Sequence, residues 1–164
     1  MRFSAGRDNQ ITFSISGYEF PHATEGYDAN WLVLNIDALA GSERWQAEAA
    51  CLLTWDVVFI RHWFRTIAEG KKPGDKRCYF GMETDFVLLY RGFIRENHRF
   101  YVRLSYGLAP HRRLGECVTF PVEVDGPGLV SCCGELNQMV KLFPLRGQTG
   151  QKWTAILKEQ GHLL

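Results

Sequence analysis

Residues 27–64 read YDANWLVLNIDALAGSERWQAEAACLLTWDVVFIRHWF and hold four of the five tryptophans of the 164-residue chain. The periodicity within them decides the fold. Leu32, Leu34 and Ile36 recur at every second position, with Trp31, Val33, Asn35 and Asp37 on the opposite side, which is the period of a strand. Ala40, Gly41 and Ser42 supply turn residues. Trp45, Ala47, Ala49 and Cys51 then alternate with Arg44, Gln46 and Glu48, which predicts a half-buried antiparallel hairpin. After this the period becomes helical. Thr54 is expected to be the N-cap, its hydroxyl accepting an orphan backbone N–H. Asp56 follows in the first turn, where a negative charge suits the helix dipole. Val57, Ile60, Trp63, Phe64 and Ile67 share one face, while Arg61, His62, Arg65 and Thr66 share the other. Gly70 marks the stop.

Upstream of this stretch, Ile11, Phe13 and Ile15 alternate with Thr12, Ser14 and Ser16 in a first strand closed by Gly17. Downstream, Cys78, Phe80 and Met82 predict a fourth strand. Residues 86–94 form a fifth, apolar on both faces and therefore expected at the centre of the sheet. Phe100, Val102, Leu104 and Tyr106 line a sixth, and Val118, Phe120, Val122 and Val124 a seventh. Pro121 has no N–H to donate, so the seventh strand is expected at an edge, open along 117–124 to pairing with another chain. Asp125, Gly126 and Pro127 signal a helix start. Leu129, Cys132, Cys133, Leu136, Met139, Val140 and Phe143 continue the stripe until Pro144. Trp153, Ile156 and Leu157 predict a short docking helix in the tail. The order βββαββββα gives an α+β domain, a mostly antiparallel sheet of about seven strands with two amphipathic helices packed on it. Residues 1–147 read as one domain and 148–164 as a C-terminal extension.

Composition bounds what such a domain does. Apolar residues make up 46% and aromatics 13%, enough for a core, and at this length roughly two-thirds of the unfolded surface is buried without staples. A formal net charge of +1 gives no global field toward nucleic acid or an anionic membrane. Five cysteines, an odd number without CxxC spacing, point to reduced thiols and a cytoplasmic protein. No secretory signal precedes the first strand, and no apolar run is long enough to cross a membrane.

Catalytic patterns are missing. The chain has no GxSxG, GxGxxG or GxxxxGK[ST], and its five histidines, His22, His62, His98, His111 and His162, show no metal-ligand spacing. Cys51 and Cys117 read as structural thiols. Asp28, Asp37, Glu83 and Asp85 lie near strand ends, where a converging pair is able to do acid–base work, but no spacing fixes such a pair. No cofactor and no metal are expected. Basic residues cluster at 71–77 and at His111, Arg112 and Arg113. Without interleaved aromatics a nucleic-acid site is disfavoured; the clusters read either as solvated loops or as a contact for an acidic partner at the rim of an interface, and His111, Arg112 and Arg113 are the predicted partner contacts.

The motif Asp28-Ala29-Asn30-Trp31-Leu32, the Ala40-Gly41 turn, the Trp45 strand and the helix from Leu52-Leu53-Thr54-Trp55 to Trp63-Phe64 resemble the WapI-like family of bacterial immunity proteins. Leu53 stands where that pattern has Thr, and Phe64 where it has Leu. Weaker similarities are Glu83 before its strand, the Tyr101-Val102-Arg103-Leu104 strand and the closing Phe143-Pro144-Leu145-Arg146. The resemblance implies a non-catalytic cytoplasmic protein that binds and neutralises a cognate toxin. Within the motif, Trp31, Trp45 and Trp63 are expected in the core, with Asp28 and Asn30 shaping the turn. The alternative reading is a small-ligand-binding or regulatory domain, with an apolar pocket between sheet and helices.

Overall fold

A computed structural model describes residues 1–71, 78–110 and 115–163, without the side chains of Cys78 and Phe80. The strands are β1 (Arg2–Ala5), β2 (Asn9–Tyr18), β3 (Trp31–Ala40), β4 (Glu43–Leu53), β5 (Cys78–Phe80), β6 (Phe86–Ile94), β7 (Asn97–Ser105) and β8 (Cys117–Asp125). The helices are α1 (Thr54–Ala68), α2 (Gly126–Leu142) and α3 (Gly147–Glu159), with 3-10 turns at Asp28–Asn30 and Tyr106–Leu108. The strands form one antiparallel sheet in the order β4-β3-β2-β1-β8-β7-β6-β5. The α+β class and the order of the seven expected strands therefore hold. The eighth strand, β1, is four residues long, too short to display a period of two.

That short strand overturns the expected edge. β1 lies between β2 and β8 and bridges Ser4 to Glu123, so β8 is interior and the edges are β4 and β5. Pro121 is tolerated because the bridge to β1 falls two residues away, at Glu123. β6 is also displaced from the predicted centre, being second from an edge. Its apolar residues on the second face, Val87 and Leu89, remain partly exposed.

The sheet is strongly curled. β2 and β6 are separated by β1, β8 and β7, which on a flat sheet would set them about 19 Å apart. Yet Phe13 of β2 and Phe86 of β6 meet with ring centroids 5.0 Å apart, and Trp45 of β4 packs on Phe120 of β8 at 6.2 Å. The Trp45 indole N–H closes the gap by donating to the Leu108 carbonyl at 2.9 Å. The concave side holds Phe3, Phe13, Ile36, Leu88, Phe100 and Val102, all buried. α1 lays Val57, Ile60, Phe64 and Ile67 into it, and α2 adds Leu129, Cys132 and Leu136.

The start of α1 differs from expectation in one detail. Leu53 occupies the cap position, and its N–H donates to Asp56 Oδ2 at 2.8 Å. Thr54 is the first helical residue, and its hydroxyl donates instead to Asn30 Oδ1 at 3.0 Å. At the other end Gly70 has φ +69°, and the bonds from Gly70 N to Ile67 O and from Lys71 N to Thr66 O form the expected stop.

α3 is longer than the short helix predicted around 153–158. It packs on the side of α1 facing away from the sheet, burying Leu157 beside Leu53, Trp55 and Val58. Trp153 stacks on Trp55 at 4.9 Å with the planes 15° apart. Replacing Trp153 by Ala removes that stack, and is expected to cost about 2 kcal/mol. Urea unfolding followed by circular dichroism measures the loss. An unchanged midpoint would mean that α3 adds nothing to the fold.

Candidate functional site

The groups with chemical potential lie in three places. The first is the seam between β4, α1 and β5. Asp56 is 7% exposed, and its carboxyl is pushed up to about 6, mainly by burial, against the lowering effect of the Leu53 N–H and of the neighbouring Tyr79 hydroxyl. Gly81 makes this packing possible, because a Cβ there would lie 3.2 Å from Asp56 Oδ2 and 3.4 Å from the Cys51 carbonyl. The Cys51 thiol is buried and driven far above its ordinary range by burial, then by Asp85, Asp56 and Glu83. It therefore stays a neutral thiol at neutral pH, as its structural reading requires. Cys117 differs from that reading, since it is exposed on β8.

The carboxylates picked out in the sequence separate. Glu83 and Asp85 lie near Cys51, and burial, followed by Glu83, raises Asp85. Asp37 is on the convex side of the sheet, lowered by hydrogen bonds from Arg44 and then Gln46. Asp28 is exposed at the opposite end of β3. Asp56, which the sequence marked only as a dipole partner, acts on Cys51 together with Asp85 and Glu83. Among the described residues no three His, Cys, Asp or Glu side chains are placed to hold a metal ion.

The second place is the space between sheet and helices. It contains an apolar void of about 20 Å3 lined by Phe3, Phe13, Leu34, Ile60 and Phe86 among others. That is room for little more than one water, far below the ~300 Å3 of a small-ligand pocket.

The third is the convex face of the sheet. The helices pack on the concave side, and among the described residues no helix covers the outward residues of β6, β7 and β8. Val87 aligns with Arg103 and Thr119, and Leu89 with Tyr101 and Pro121. The Arg91 guanidinium sits 5.3 Å from the Tyr101 ring centre, a cation–π contact. Arg99 forks onto Glu123 Oε1, at 2.8 Å from Nε and 2.5 Å from Nη2. Arg91 and Arg103 are exposed, and neither forms an ion pair among the described residues. At the hairpin tip Ile94, 38% exposed, shares this face, whereas Phe93, 61% exposed, pairs with His98 on the concave side. Arginine and tyrosine among apolar side chains is the composition of interface anchors. The alternation of residues 86–94 and 97–105 held this information, because it sets Arg91, Arg99 and Arg103 outward. The predicted contacts His111, Arg112 and Arg113 lie outside the described residues.

The residues of the recognisable motif do fold work instead. Asn30 is fully buried and uses its whole amide, with Nδ2 donating to the carbonyls of Gly26 and Arg146, and Oδ1 accepting from Thr54 Oγ1 and the Arg146 N–H. Trp63 is buried, whereas Trp31 and Trp45 are partly buried against the two cores.

A family model described as the immunity protein WapI-like family matches residues 2–144. No curated protein and no solved structure matches the chain.

Proposed function

The chain belongs to the WapI-like family of immunity proteins, and on that premise we propose that it binds one cognate toxin domain and neutralises it stoichiometrically, without catalysis of its own. The match over residues 2–144 carries this reading. The packed interior supports it, because a 20 Å3 void offers a small ligand no site. The buried, neutral thiol of Cys51 supports it too. Among the described residues no helix is long and apolar enough to cross a membrane. We place the protein in the cytoplasm, where an incoming toxin would act, with residues 1–147 as the family domain and 148–164 as an appended segment. His111, Arg112 and Arg113 are proposed as contacts at the rim of the complex, where charges steer association.

The test is co-expression with the C-terminal domain encoded by the neighbouring large gene. Rescue of growth together with a one-to-one complex on gel filtration is the expected result. Toxicity that persists beside a well-folded chain, with no complex, would sink the reading.

A further inference from the structure

We propose that the convex face of the β6–β7 hairpin docks a carboxylate-rich patch of the toxin, with Arg91, Arg95 and Arg103 as its charged anchors; this rests on the immunity reading above. Three independent features meet on that hairpin. β6 is apolar on the side no helix covers, so Val87 and Leu89, flanked by Tyr101 and Pro121, offer a desolvating centre. Two exposed guanidiniums border that centre without an ion pair among the described residues, and Arg91 is held in place over Tyr101. Arg99 is already taken by Glu123 and acts as a strut between β7 and β8.

The third feature is the turn. β6 ends at Ile94 and β7 begins at Asn97, so Arg95 and Glu96 form a two-residue loop, with φ of 50° and 69°. Such a loop favours Asn and Gly, because an ordinary side chain held at positive φ is strained. Arg95 and Glu96 bear that strain at the tip beside Ile94, which is exposed on the convex side. Strain held at an exposed tip, where no packing requires it, is consistent with a contact role.

The complementary surface is acidic and proteinaceous. Planar guanidiniums fork onto carboxylates, and the apolar centre between them wants an apolar partner. A phosphate backbone fits poorly, because Glu123 stands within the band and the chain as a whole carries only +1.

The experiment titrates the neighbouring gene's toxin domain, by calorimetry, into the wild type and into an Arg91→Glu/Arg103→Glu double variant. An Arg65→Glu/Lys158→Glu variant, on α1 and α3, makes the same change of net charge on the helical side. Thermal unfolding confirms that all three are folded. The convex-face variant is expected to bind at least about 100-fold more weakly and to lose the steep salt dependence of the wild type, and the helical-side control to shift by less than about threefold. Alkylation mapped by mass spectrometry should show Cys117, exposed on the same face, protected in the wild-type complex. Equal binding by both variants, with Cys117 still reactive, overturns the assignment and leaves the immunity reading standing. A wild type that neither binds nor rescues overturns both. Binding of a single-stranded oligonucleotide of about 20 nucleotides, lost in the convex-face variant, assigns the face to nucleic acid and overturns it as well.

Discussion

Replacing Asn30 by Ala is expected to destabilise the protein by about 4 kcal/mol and to lower its melting temperature by roughly 10 °C. Asn30 links three parts of the chain that are far apart in sequence. Its amide oxygen accepts from Thr54 at the start of α1 and from the Arg146 backbone, while its nitrogen donates to the carbonyls of Gly26 and Arg146. The substitution leaves buried donors and acceptors unmatched, each costing about 1–3 kcal/mol. Around it the same clasp continues. The Tyr18 hydroxyl donates to the Pro144 carbonyl at 2.5 Å, Arg146 lies 4.5 Å above the Tyr18 ring, and the Gln148 N–H donates to Glu25 at 2.8 Å. Gly147, at φ +68°, lets the two segments touch, since a Cβ there would lie 2.4 Å from the Thr24 carbonyl.

Asn30→Asp keeps the shape but turns a carboxylate oxygen toward two carbonyls, so it should be no better than Ala at neutral pH. Asp28→Ala, two residues earlier and exposed, should stay within about 0.5 kcal/mol of wild type. Thermal melts of the three variants decide the matter. If Asn30→Ala melts with the wild type, the clasp does not hold the fold.

This residue shows where sequence reading stops. The stripe of α1, the hairpin of β3 and β4 and the stripe of α2 were legible because each buries one face at a regular interval. Asn30 was legible only as a turn residue, because its main partner, Arg146, is 116 positions away and no local period records such a pairing. β1 was missed for a related reason. Four residues show no alternation, and the place of β1 between β2 and β8 is a property of the assembled sheet. That one omission made β8 look like an edge. The candidate interface was half legible. Arg91, Arg99 and Arg103 fall at outward positions of readable strands, but the double-sided apolar pattern of β6 argued for burial at the centre. The strand is second from an edge instead, and Val87 and Leu89 on its second face are partly exposed. Basic loops in the sequence point to His111, Arg112 and Arg113, which lie outside the described residues, whereas among the described residues Arg91 and Arg103 stand without ion pairs on one strand face.

Between pH 4 and pH 8 the wild type should lose about 2 kcal/mol of stability relative to Asp56→Asn. The folded carboxyl titrates at about 6 against an ordinary value of 3.8, and the first cause is burial. A carboxyl raised in the folded state binds its proton more tightly there than in the unfolded chain. Stability from this group is therefore complete below the unfolded value and falls as pH rises toward and through 6. The shift of about two pH units corresponds to roughly 3 kcal/mol in full, most of it within that window. His62 and His98 work in the opposite direction. Burial lowers both, so their contribution is complete above 6.5 and is lost as pH falls. The wild-type profile alone thus mixes two slopes, and subtracting the Asp56→Asn profile isolates the carboxyl. Asn retains an oxygen for the Leu53 N–H, so the cap survives while the charge is gone. Urea unfolding of both proteins at half-unit pH steps gives the difference curve. Parallel curves would show that Asp56 titrates in the folded protein as it does in the unfolded chain. The seam formed by Cys51, Tyr79 and Gly81 would then be open to water rather than closed over the carboxyl.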